Sequence, residues 1–184
     1  MLHDIFFRPL LDQPKENEQE IILGAGCFWG VERRLWQLSG VTNTAVGYSG
    51  GHTLNPTYKD VCSGATDHVE VVKVTYLDSP ETLMNILISF WEMHDPTQGM
   101  RQGNDIGTQY RSVIFYKNES QLDILNDSLR KYQNILTEKG LQTITTTIER
   151  AQTFFLAEDY HQQYLHKNPN GYCGLGGTGC SFPQ

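Results

Sequence analysis

HVEVVKVTYL, residues 68–77, alternates too regularly to be anything but a strand. Its even positions are Glu70, Val72, Val74 and Tyr76, and its odd positions are Val69, Val71, Lys73 and Thr75. Successive strand side chains point to opposite faces, so one face is apolar apart from a single carboxylate, Glu70. Upstream, EIILGAG (20–26) is a short apolar run ending in glycines, a buried strand and turn. Residues 28–39 set Val31, Leu35 and Leu38 on a helical stripe closed by Gly40, and VTNTAVGYSGG (41–51) reads as a strand entering a glycine loop. Downstream, Ser79-Pro80-Glu81 supplies a capping hydroxyl, a first-turn proline and an N-terminal acid. The helix that follows, with Leu83, Ile86, Leu87, Phe90 and Trp91 at helical spacing, must stop at Asp95-Pro96. A polar glycine loop, GMRQGNDIGTQY (99–110), precedes the strand RSVIFY (111–116).

The order is β-α-β-β-α-β, the split βαβ pattern. It predicts an α/β (α+β) two-layer sandwich with a ferredoxin-like core and a mixed sheet. One more long helix (119–139, ended by Gly140), a strand (143–149) and a short helix (157–167) follow. The same reading makes residues 1–19 an N-terminal arm and 20–170 a single domain. Residues 171–184, GYCGLGGTGCSFPQ, form a flexible tail with five glycines, too many for regular structure.

A chain of 184 residues suits one domain with a core of its own. Its net charge of −7 opposes phosphate backbones and excludes sequence-independent nucleic-acid binding. The longest uncharged apolar stretch, Ile21 to Val31, falls short of the ~20 residues of a membrane span. Asp4 and Arg8 interrupt what would be a signal peptide's apolar core. The expectation is a small cytoplasmic monomer. Cysteines at 27, 62, 173 and 180 are too few for a disulfide scaffold and lack metal-site spacing.

Cys27 sits between a predicted strand and a predicted helix, where free N–H groups and the helix dipole favour thiolate. A structural cysteine at a tight turn and a nucleophile both account for it locally. Glu70, if its face is buried, carries a raised pKa and can serve as a general acid; if the face turns to solvent, it cannot. Cys173 and Cys180 lie on a chain that bends freely, as thiol–disulfide exchange requires, or are solvent-exposed thiols without a role. Cys62 reads as a packing residue and His161 as a hydrogen-bonded structural histidine. Tyr58 and Tyr110, beside polar loops, could hold a polar substrate oxygen.

GCFWG (26–30) resembles the active-site signature of the A-class peptide methionine sulfoxide reductases. GYSGG (47–51), NPTYKDVCSG (55–64), HVEVV (68–72), HDPTQ (94–98), GNDIGTQYRS (103–112), AEDYHQQYL (157–165) and GYCG (171–174) resemble the same family in the same order. The resemblance implies an enzyme that reduces methionine-S-sulfoxide, free or in proteins, without metal or organic cofactor. It implies Cys27 as nucleophile, Glu70 as the acid protonating the sulfoxide oxygen, and Tyr58 and Tyr110 as hydrogen-bond donors to it. Phe28 and Trp29 match the apolar wall that receives the methyl group. Asp105 matches a polar residue of the substrate loop, and His161 one at the edge of the site. Cys173 matches the resolving cysteine, Cys180 a recycling cysteine, and thioredoxin is the family's usual reductant. The tail departs from the pattern: six residues separate Cys173 and Cys180, one fewer than the family's usual spacing, so thioredoxin could instead reduce a Cys27–Cys173 bond directly. Three rival functions compete with this one. A thiol peroxidase has no use for Phe28-Trp29 or an acid such as Glu70. A methionine-sulfoxide binder has no use for Cys27, Glu70 and Cys173. A cysteine hydrolase needs a histidine base, for which His68 and His161 are the candidates.

Overall fold

The run EIILGA buries both of its faces, so it belongs at the centre of a sheet. The structure, a computed structural model, describes residues 1–183 and places it there. Gln184, the last residue assigned to the tail, lies outside the described residues. In chain order the elements are Glu18–Ala25 (β1), Phe28–Leu35 (α1), Val41–Ser49 (β2), Tyr58–Cys62 (α2), Val69–Leu77 (β3), Pro80–Met93 (α3), Arg101–Gln102 (β4), Asp105–Ile106 (β5), Ser112–Tyr116 (β6), Leu122–Glu138 (α4), Thr147–Arg150 (β7), Phe155–Leu156 (β8) and Tyr164–Lys167 (α5).

Among the described residues, the main sheet has six strands in the order β7-β6-β1-β3-β2-β8. All neighbours are antiparallel except β6 and β7, which makes the sheet mixed. The inner order β6-β1-β3-β2 is the expected ferredoxin-like core. Its crossover helices α1 and α3, joined by α4, bury Val31, Leu35, Phe90, Trp91, Leu125 and Tyr132 against Ile21, Leu23, Val72, Val74 and Ile114. The odd face of β3 is buried too: Val69 and Val71 pack with Ile22, Val113 and Phe115 under Ala151 and Phe154.

Local chemistry sets the boundaries. Ser79 caps α3 by accepting the Thr82 N–H at 3.0 Å, and Pro80 is its first residue. Three expectations need correction. The helix expected over 28–39 ends at Leu35. The strand expected over 143–149 begins only at Thr147, because Thr145 and Thr146 turn their bonding groups to Pro96 and Ser112. The helix expected over 157–167 is broken: a 3₁₀ turn, Asp159–His161, is separated from α5 by Gln163 in the left-handed conformation (φ 47°). Helix α2, the β4–β5 hairpin and β8 carried no periodicity long enough to announce them.

Gly47 shows how tightly β8 is laid on β2. A Cβ there would stand 2.3 Å from the Phe155 carbonyl oxygen and 2.4 Å from the Phe154 ring. The Gly47→Ala variant is therefore expected to lose about 1–3 kcal/mol in a urea unfolding titration. An unchanged midpoint would mean that β8 shifts freely.

Candidate active site

The turn between β1 and α1 brings Cys27 to the first position before the helix. Gly26 makes that turn at φ +91°, and a Cβ there would lie 2.7 Å from the Gln102 side chain. Gln102 is itself fixed: its amide accepts the Asp95 N–H at 3.0 Å and donates to the Asp95 carbonyl at 2.8 Å. The end of α3 thus holds the β4–β5 hairpin, and the hairpin backs the Cys27 turn.

Glu70 stands on the helix-covered face of β3, opposite Tyr48 of β2, and is only 2 % exposed. The solvent-facing alternative for this residue is excluded. Its carboxyl accepts the Phe28 N–H at 3.2 Å, one residue past Cys27. Burial pushes its pKa up to about 8; the Phe28 bond opposes the shift and Asp105 adds to it. Glu70 is therefore mostly a neutral acid at pH 7.

The Cys27 thiol departs from the expected thiolate. Burial pushes its pKa up, Glu70 adds to the rise once it ionises and Asp105 pushes the same way, against the Trp29 N–H, which supports the thiolate. Desolvation outweighs the helix terminus, so Cys27 rests as a thiol.

The other predicted residues gather round this pair. Tyr58 and Tyr110 both feel Glu70, and burial raises both phenols, keeping them as O–H donors. Tyr58 begins α2, its backbone N–H fixed at 2.8 Å by Glu158, which also accepts the Tyr48 hydroxyl at 2.8 Å. Tyr110 ends a 3₁₀ turn after β5. Trp29 is half-buried, stacked on Tyr164 with ring centres 4.0 Å apart. Phe28 is buried and backs the wall rather than facing the opening. His161 is also buried, not at the edge. Its Nδ1 accepts the Trp29 indole N–H at 3.0 Å, and its ring touches Phe28 and Tyr58. That bond leaves the proton on Nε2 of the neutral ring, which burial favours. His68 spends both ring nitrogens on the 51–53 loop, bonding Gly51 and Thr53, and offers no hydrolase base to Cys27.

The tail crosses this site. Tyr172 donates its hydroxyl to Asp105 at 3.1 Å. The Cys173 Sγ sits over the first turn of α1, 2.9 Å from where a Cβ on Gly30 would be. Farther on, Cys180 is half-buried against the core, its carbonyl accepting the Tyr132 hydroxyl at 3.2 Å. Cys62 is exposed at the end of α2 and does not pack: α2 buries only Val61. Sequence reasoning missed Glu158 and Gln102, which brace the site, and Tyr172, which bonds Asp105 from the tail. The first and last lay in quoted motifs; Gln102 carried no signal. Among the described residues no cluster of metal-ligating side chains forms, and no helix is long and apolar enough to cross a membrane.

A half-buried thiol beside a neutral carboxyl, with the Cys173 thiol close by, is the arrangement of a cysteine redox centre. The family model for peptide methionine sulfoxide reductase matches residues 19–178. Peptide methionine sulfoxide reductase MsrA of Vibrio vulnificus is 60% identical over 168 residues, 91% of this chain and 80% of that one. The solved methionine sulfoxide reductase A of Corynebacterium diphtheriae superposes with a TM-score of 0.84 at 40% identity, over 99% of this chain and 89% of that one. Mxr1 from Saccharomyces cerevisiae, solved in complex with Trx2, shares the fold alone, at a TM-score of 0.56 and 22% identity over 90% and 94% of the two chains. The chain belongs to the peptide methionine sulfoxide reductase family and is an oxidoreductase of that family.

Proposed function

We propose that this protein reduces methionine-S-sulfoxide, free or in proteins, to methionine, and that thioredoxin returns it to the reduced state. The observation that carries the reading is Glu70: a buried carboxyl held neutral up to about pH 8, bonded to the residue after Cys27. A sulfoxide is electrophilic at sulfur only when its oxygen is protonated or hydrogen-bonded, so a neutral acid beside a soft nucleophile is what the reaction needs.

Glu70 gives its proton to the sulfoxide oxygen, with the Tyr58 and Tyr110 hydroxyls donating to the same atom. Cys27 loses its thiol proton to Glu70 and attacks the sulfur. Trp29, backed by Phe28 and braced by His161, receives the methyl group, and Asp105 holds the substrate's polar backbone. Methionine leaves, and the oxygen stays on Cys27 as a sulfenic acid. The Cys173 thiol then displaces water to form a Cys27–Cys173 disulfide. Cys180 attacks Cys173, freeing Cys27, and the thioredoxin dithiol reduces the tail disulfide. The reaction requires no metal or organic cofactor. The proposed setting is the reducing cytoplasm, with the protein acting as a monomer.

The test is chromatographic turnover of a blocked methionine sulfoxide, S and R epimers separately, with dithiothreitol or with thioredoxin and its reductase. Loss of the S epimer alone is expected with either reductant. Turnover of neither epimer, or of R alone, would overturn the reading.

A further inference from the structure

The tail is fastened at two places with Cys173 beside the first. Around 172–175 the Tyr172 hydroxyl bonds Asp105, and Gly174 is pressed against the pair: a Cβ there would lie 2.8 Å from both the Asp105 Oδ2 and the Tyr172 hydroxyl oxygen. Around 177–182 the chain seats on α3 and α4. The Phe182 N–H donates to Glu92 at 2.7 Å, and Thr178 bonds Tyr132 at 2.9 Å. Residues 171–183 include five glycines and no helix or strand, so secondary structure does not fix where Cys173 stands. Its thiol meets the first turn of α1 because glycine at position 30 leaves room for it. Asp105 sits on β5, next to the hairpin strand that backs the Cys27 turn, so a bond to Asp105 ties the tail to the same frame as the nucleophile.

We propose that the Tyr172–Asp105 hydrogen bond is a clasp that positions Cys173 for attack on oxidised Cys27, making Tyr172 a positioning residue of the thiol step; the inference rests on the function proposed above. The bond lies at the surface, with Tyr172 47 % exposed, where water or a polypeptide can take its place. A polypeptide that uses Asp105 displaces Tyr172 while the sulfoxide is bound. Departure of methionine frees Asp105, the clasp closes, and Cys173 is held where its effective concentration at Cys27 is high. Reduction and resolution are thereby ordered. The step balances without another reactant: the Cys27 sulfenic acid and the Cys173 thiol give one disulfide and one water.

The test uses the full chain without external reductant. Wild type, Tyr172→Phe and Gly174→Ala are mixed with excess blocked methionine-S-sulfoxide. Methionine from the first turnover is followed by rapid quench, and Cys27 sulfenic acid by the mass of its dimedone adduct. Tyr172→Phe removes the donor, whereas Gly174→Ala crowds the clasp and removes no polar group. Both are expected to release the first equivalent of methionine at the wild-type rate. Both should form the disulfide about fivefold more slowly, the effect of losing one hydrogen bond, with the adduct accumulating meanwhile. Asp105→Asn, which keeps an acceptor for Tyr172, is expected to retain the wild-type disulfide rate once methionine has formed. Wild-type disulfide rates in Tyr172→Phe and Gly174→Ala would overturn the clasp. A slowed first release with no later delay would also overturn it, moving Tyr172 to substrate binding. Absence of methionine from wild type as well would instead overturn the function on which the clasp rests.

Discussion

Cys27→Ser is expected to abolish methionine formation, by a factor on the order of 10⁴ or more, while leaving the fold intact. Serine is the nearest replacement in size but a much poorer nucleophile than sulfur, and it forms no counterpart of the sulfenic acid that Cys173 must attack. Structurally the exchange is mild. Cys27 makes no side-chain cap to α1, and serine is among the best capping residues, so the thermal midpoint should hold or rise slightly. The informative contrast is with the tail. Cys173→Ser should still release one equivalent of methionine per chain and then stall as the sulfenic acid. Cys180→Ser should turn over with dithiothreitol, with any defect confined to thioredoxin. Residual S-epimer turnover by Cys27→Ser would show that another thiol is the nucleophile, and Cys62, exposed at the end of α2, would be the next candidate.

The helix-facing half of this site was legible because one strand announced it. Along residues 68–77 a single carboxylate interrupts an apolar face, and that alternation singles out Glu70 without saying whether its face is buried. Cys27 was legible as a position, by the strand-glycine-helix grammar around it, but not as an acid. Whether its thiol ionises depends on how many neighbours exclude water, and tertiary packing decides that. The same limit explains the aromatic wall: Phe28 and Trp29 are adjacent in sequence, yet one is buried and the other half-open because they leave the helix in different directions. Residues that act through backbone groups were invisible. Glu158 holds Tyr58 by its N–H across 100 positions, and Gln102 grips Asp95 from a two-residue strand. Neither leaves a periodic trace. The broken helix at 157–167 failed for a related reason. Gln163 bonds Glu32 through both its backbone N–H and its side chain, and those buried bonds hold it in a left-handed conformation that local propensity disfavours.

Glu70→Gln should lower activity by about 10²–10³-fold near neutral pH and at the same time stabilise the protein. The amide keeps the shape and can still accept the Phe28 N–H, but it has no proton to give. In wild type, activity should decline with the loss of one proton as pH rises through about 8, where Glu70 ionises. Rising pH offers no compensation, because burial holds the Cys27 thiol above that range and an ionised Glu70 raises it further. The variant should lack this decline. Stability carries the opposite sign. Between the ordinary glutamate range near 4.5 and about 8, the folded state binds a proton that the unfolded chain has released. Wild-type stability therefore falls with rising pH across that window, by about 1.4 kcal/mol per unit from this group. Glu32, buried and raised to about 7, adds a fall of the same sign, but it is common to both proteins and cancels in the difference. Urea titrations from pH 5 to 9 should therefore show Glu70→Gln gaining on wild type as pH rises, with the gap levelling off once Glu70 has ionised. A carboxyl that served only structure would be missed most where its negative charge is useful, and its removal would destabilise at high pH. A gain in stability with a loss in rate is the signature of a group kept in the core for the proton it gives up.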